Sequence, residues 1–158
     1  VEAKWWLSQA KKEYYFKNIN TKDNNRKMSL VTLHPRIVLA PQVIIEAIRM
    51  SLKIDWSWII RLHPRQIEED VLNLYKECSD NLIIHSPDEM NLYESLLKCD
   101  IHITGFSSCA LEAEYFDVET IFIDKRAASY YPDLIDNSNS VICESAEELF
   151  KRLTITLN

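Results

Sequence analysis

The sequence predicts an α/β fold: a doubly wound, six-stranded parallel sheet with helices on both faces. Three observations predict it. Six apolar runs of about five residues recur along the 158-residue chain, separated mostly by helical segments of about 10–15. The runs lack polar alternation, as strands covered on both faces should. Right-handed crossovers between them then favour an open, Rossmann-like sheet in the order 3-2-1-4-5-6.

In chain order, residues 2–17 read as a helix rich in Ala, Lys, Glu and Gln, with aromatics at Trp5, Trp6, Tyr14, Tyr15 and Phe16. The polar stretch KNINTKDNNRK (17–27) has the composition of an exposed linker. Residues 1–30 are therefore assigned to an amino-terminal helix and linker, and residues 31–158 to the Rossmann-like domain. The first strand is placed at RIVLAP (36–41), before the helical QVIIEAIRMSLK. WSWIIRL leads into RQIEEDVLNLYKECS, NLIIHS into DEMNLYESLLKCD, and IHITGF into SSCALEAEYFD. VETIFID precedes an irregular piece, KRAASYYPDLIDNSN, and SVICES with the helix AEELFKRLTI closes the chain.

Composition narrows the function. With 47% hydrophobic residues the chain can bury a core, and a net charge of −6 is too acidic for a phosphate-backbone grip, so nucleic acid is not an expected partner. Apolar runs such as Val43-Ile44-Ile45 fall far short of the roughly 20 residues of a membrane helix. The charged, aromatic opening is no secretory signal. Cys78, Cys99, Cys109 and Cys143 are widely spaced without a CxxC, the pattern of reduced thiols in a cytoplasmic protein. The first residue, Val1, leads us to expect an excised piece of a longer chain. A single glycine, Gly105, excludes both GxGxxG and GxxxxGK[ST], so a nucleotide site must use another device.

In such a sheet ligands bind beyond the carboxyl ends of the strands. The helices after the second and third strands open with acids (Glu68, Glu69, Asp70; Asp88, Glu89), which neutralise their dipoles. The helix near Ser107 has no acid until Glu112 and is surrounded by the hydroxyls of Thr104, Ser107 and Ser108. Gly105 lets the backbone bend or approach closely there. This is the expected phosphate cradle, with simple N-capping by either serine as the plainer alternative. His63 sits between Arg61 and Arg65, and on extended backbone all three would project to one side, suiting a phosphate. A backbone-satisfied histidine with surface arginines is the alternative. His85 and Ser86 follow the third strand and could line a base or ribose, and Glu112 could meet a ribose hydroxyl. Lys125 and Arg126 either extend the anion site or coat the surface. His34 precedes the first strand as placed here and is read as a loop residue. His102 is read as packed, and Trp56 and Trp58 as core or interface residues.

RLHPR after a strand, followed by DIHITGFSSCALEAEYFDVETIFID, resembles the carboxy-terminal, nucleotide-sugar-binding half of GT-B-type glycosyltransferases, in particular bacterial sialyltransferases and capsule polysaccharide transferases. The resemblance covers about residues 36–155. It implies that His63-Pro64 and Ser107-Ser108 contact the nucleotide of a CMP-, UDP- or CDP-linked donor, and that Glu112 is the acid of the following helix. It implies a transferase for surface polysaccharide or glycan synthesis, His63 acting on the leaving phosphate, with no cofactor and no metal. The general base of such enzymes comes from an amino-terminal domain absent here, and their glycine motif cannot be placed. The full-length enzyme could then associate peripherally with a membrane, and weak self-association is expected around Trp5 and Trp6. A nucleotide-sugar 2-epimerase-like domain and a non-catalytic interaction module are the alternatives.

Overall fold

The computed structural model describes residues 26–34, 41–75, 78, 82–137 and 140–158. Six strands, β1 (Lys27–Thr32), β2 (Trp56–Arg61), β3 (Leu82–His85), β4 (Ile101–Thr104), β5 (Glu119–Phe122) and β6 (Ser140–Ile142), form one sheet in the order β3-β2-β1-β4-β5-β6. Every neighbouring pair is parallel. Fold class and strand order are those the apolar runs predict.

The first strand is not where the sequence suggested. RIVLAP lies almost wholly outside the described residues, whereas β1 is KMSLVT, so residues 27–30, assigned to the linker, lie in the middle of the sheet. Ser29 and Thr32 interrupt the apolar run and disguise the strand. Both are buried because partners on other elements satisfy them. Ser29 Oγ accepts from Trp56 Nε1 at 2.9 Å, and Thr32 Oγ1 lies 2.7 Å from His102 Nε2. The expected amino-terminal helix, its aromatics and the rest of the linker lie outside the described residues.

Helices α1 (Gln42–Met50), α2 (Glu68–Tyr75), α3 (Leu92–Lys98), α4 (Cys109–Tyr115), α5 (Ala127–Tyr130), α6 (Pro132–Asp136) and α7 (Ala146–Leu157) complete the described fold, with a short 3₁₀ turn at Ser51–Lys53. On one face, Val31, Trp58, Ile60, Ile103 and Ile121 pack with Ile44 and Ile48 of α1, Val71 of α2 and Leu149 and Leu153 of α7. On the other, Leu30 and Ile59 meet Leu96 of α3 and Ala113 of α4. The alternation of side chains along each strand divides the residues this way. Both Trp56 and Trp58 are fully buried, the latter donating to Ser51 Oγ at 2.9 Å.

Two boundaries differ from expectation. Asp88 and Glu89 form a turn, and α3 starts only at Leu92, where Asn91 and Glu94 cap each other's backbone N–H groups. The irregular piece after β5 contains the short α5 and α6. Asp117 takes positive φ (59°) in the turn from α4 to β5, a conformation Asp tolerates. Among the described residues no helix is long and apolar enough to cross a membrane. Cys78, Cys99 and Cys143 are buried thiols and Cys109 is half-buried.

Candidate functional site

The strand order reverses between β1 and β4, the switch point at which such sheets bind ligands. A cleft of 270 Å³ opens there. Thr32, Leu33 and His34 line it from the end of β1, and Arg61 to Pro64 from the end of β2. Ser107, Ser108 and Cys109 line it from the start of α4, with Leu92 of α3 beside them. His63 and the two serines therefore line one cavity.

His63 is held by its own loop. Its backbone N–H donates to Gln66 Oε1 at 2.6 Å, and its Nδ1 accepts from the backbone N–H of Arg65 at 3.2 Å. In the neutral ring the proton must then sit on Nε2, leaving that nitrogen as a donor. Slight burial, then the neighbouring His34 and Arg65, hold the imidazole below its ordinary pKa. The ring of His34 lies 5.8 Å from that of His63, centroid to centroid. Its assignment as an amino-end loop residue is corrected: with β1 at Lys27–Thr32, His34 follows the strand and lies at the carboxyl edge. The repeated His-Pro dipeptide was the available signal, and the displaced first strand concealed it.

Arg61 ends β2 and its guanidinium donates to the carbonyl of Met90, so the cation is tied to the turn before α3. Burial lowers its pKa. Arg65 does not join it on one side, as the extended-strand reading required. β2 stops at Arg61, Pro64-Arg65 forms a turn, and Arg65 is exposed outside the cleft lining.

The remaining expected residues separate. Ser107 Oγ accepts from the N–H of Cys109 at 3.3 Å, so the capping alternative describes part of its role. Ser108 makes no side-chain capping bond and is exposed. Thr104 is fully buried behind the cleft and donates to the carbonyl of Thr32 at 2.5 Å. Gly105 is buried, lies outside the cleft lining and does not use positive φ, so no left-handed bend is made there. Glu112 lies outside the lining, half-buried, with Oε2 buried and unpartnered and its pKa raised by burial. His85 pairs in register with Arg61, outside the lining. Its Nδ1 is buried without a partner, and burial lowers its pKa. Ser86 donates its backbone N–H to Glu89 at 2.7 Å. Arg126 forks onto Asp124 and lies over the Phe106 ring, 4.4 Å from its centroid, outside the cleft. Thr32, Leu33, Leu62, Leu92 and Cys109 are lining residues that the sequence reading did not assign to the site.

No protein-family profile matches the chain, and no curated protein matches it in sequence. Solved structures do. The UDP-GlcNAc 2-epimerase of Methanocaldococcus jannaschii, in complex with UDP-GlcNAc and UDP, matches with TM-score 0.68 at 20% identity over 96% of this chain. That of Neisseria meningitidis, bound to UDP-GlcNAc, matches with TM-score 0.65 at 16% identity over 92%. The glycosyltransferase SnogD of Streptomyces nogalater matches with TM-score 0.59 at 15% identity over 78%. The chain spans 45%, 40% and 32% of those proteins, respectively. At these identities the likeness establishes the architecture: the chain has the doubly wound α/β, Rossmann-like fold found in these epimerases and glycosyltransferases.

Proposed function

We propose that the chain is the nucleotide-sugar-binding domain of a glycosyltransferase for surface polysaccharide or glycan synthesis. The observation that carries the reading is the shared cleft. His63, Arg61, Ser107 and Ser108 come from two strand ends and one helix start, and all line it at the switch point. Its donors suit the phosphates of a nucleotide sugar. When the bond from sugar to phosphate breaks, charge develops on the leaving oxygen. The Nε2–H of His63, the Arg61 cation and the serine hydroxyls stabilise that charge without having to reorganise. The acceptor and its general base belong to a second domain. The UDP and UDP-GlcNAc held by similarly folded epimerases make a UDP-linked sugar the first ligand to test, ahead of CMP- and CDP-linked ones.

A 2-epimerase-like domain is the second reading. The epimerases align over more of this chain than SnogD does, and the cleft brings two imidazoles, His34 and His63, side by side. Thermal-shift and calorimetric titration with UDP, UDP-GlcNAc, CMP, CDP and GDP tests both. Binding of at least one nucleotide is expected, weakened about tenfold in His63→Ala and in Ser108→Ala, the effect of losing one hydrogen bond to a charged group. A preference for CMP over UDP supports the sialyltransferase-like form, and a preference for UDP-GlcNAc supports the epimerase. No response to any nucleotide overturns the proposal in favour of an interaction module.

A further inference from the structure

A buried polar line leads from the middle of the sheet into the cleft. His102 of β4 is fully buried, with Nε2 2.7 Å from Thr32 Oγ1 on β1 and Nδ1 3.0 Å from Thr120 Oγ1 on β5. The register sets His102 beside Leu30 and Thr120, so Thr32 stands one step nearer the carboxyl edge on the same face. On the opposite face the neighbouring positions are Val31, Ile103 and Ile121. Apolar residues thus fill this part of the sheet where no polar group is needed, and burying polar ones carries a desolvation penalty. Thr32 is the end of the line that lines the cleft. Its carbonyl is held by Thr104 Oγ1, and Cys109 stands with it in the cleft lining.

Burial lowers the His102 pKa to about 3, so the ring is neutral near pH 7 and carries one proton. Two arrangements satisfy the line. With the proton on Nδ1, that nitrogen donates to Thr120, and Nε2 consumes the hydroxyl hydrogen of Thr32. With the proton on Nε2, the imidazole donates to Thr32 Oγ1 and leaves the threonine hydrogen for an acceptor in the cleft. A phosphate oxygen is a strong acceptor for that hydrogen.

We infer that Thr32 is an anion-binding residue of this cleft, its hydroxyl donating to a ligand phosphate, and that His102 is the positioning residue that aims it through the Nε2–H tautomer. The inference rests on the nucleotide-binding reading above and adds to it a donor and its support. Calorimetric titration of the full chain with UDP, well below each variant's melting temperature, provides one test. Thr32→Val is expected to weaken UDP about tenfold, and Thr32→Ser to restore it. His102→Leu weakens UDP similarly, and His102→Gln, whose amide can supply an N–H at the Nε2 position, recovers most of it. Nitrogen-15 spectra of the histidines provide the second readout, which a merely structural role would not move: with UDP bound, the proton of His102 must reside on Nε2. If Thr32→Val binds UDP as well as wild type while His63→Ala does not, or if the proton is on Nδ1 in the complex, the inference is wrong and the binding reading stands. If wild type binds no nucleotide, both fall. Should His102→Leu fail to fold, the threonine pair and the spectra decide alone.

Discussion

His63 illustrates how little of a residue's chemistry its sequence position contains. The sequence suggested an imidazole flanked on one side by two arginines, yet the folded loop gives it an acceptor role at Nδ1 and a second histidine as neighbour. Burial, then His34 and Arg65, hold its pKa below the ordinary imidazole value. A phosphate placed beside it favours the charged form, so the pKa rises on binding and a proton is taken up. Affinity for UDP is therefore expected to strengthen as pH falls from about 8 to about 6, and to lose that dependence in His63→Ala. Titration calorimetry in two buffers of different ionisation enthalpy measures the proton uptake. A flat wild-type profile would contradict the assignment. Of the residues named from sequence, Arg61, His63, Pro64, Ser107 and Ser108 line the cleft, and Arg65, His85, Ser86, Thr104, Gly105 and Glu112 do not.

At the scale of elements, β1 and α3 show what an apolar pattern omits. KMSLVT escapes the pattern because two of its buried positions are hydroxyls whose partners, Trp56 and His102, lie 27 and 70 residues away. Helix α3 begins later than its first acids suggest, because Asn91 and Glu94 satisfy each other's N–H groups at 2.9 and 3.3 Å. That cap is expected to contribute about 1 kcal/mol. Asn91→Ala should lower the melting temperature by about 2–4 °C, read by calorimetry, while Asn73→Ala on the exposed face of α2 leaves it within error. Because Arg61 donates to Met90 at the same turn, loosening the cap should also weaken UDP binding modestly.

Across the whole molecule, stability and site share the same polar residues. His102 is protonated below about pH 6.5 in the unfolded chain but only near pH 3 in the fold. The stability this contributes is complete above pH 6.5 and is lost as the pH falls toward 3, at a slope of about 1.4 kcal/mol per pH unit for one proton. Chemical denaturation at stepped pH should show that slope in wild type, over and above the acid loss of His102→Gln. Equal slopes would mean that His102 is not a buried neutral imidazole.

The amino-acid sequence alone determined the class of the fold and the strand order, because both follow from chemistry repeated along the chain. Unbroken apolar runs select strands covered on both faces, and helical spacers impose parallel crossovers. It also marked the loop of His63 and the helix start of Ser107, because strand ends and helix starts are local signals. Only the tertiary structure decided which strand comes first, that His34 stands beside His63, and that Thr32 ends a buried line from Thr120 through His102. These are relations between residues distant in sequence, and a buried hydroxyl or imidazole becomes tolerable only when another strand supplies its hydrogen-bond partner.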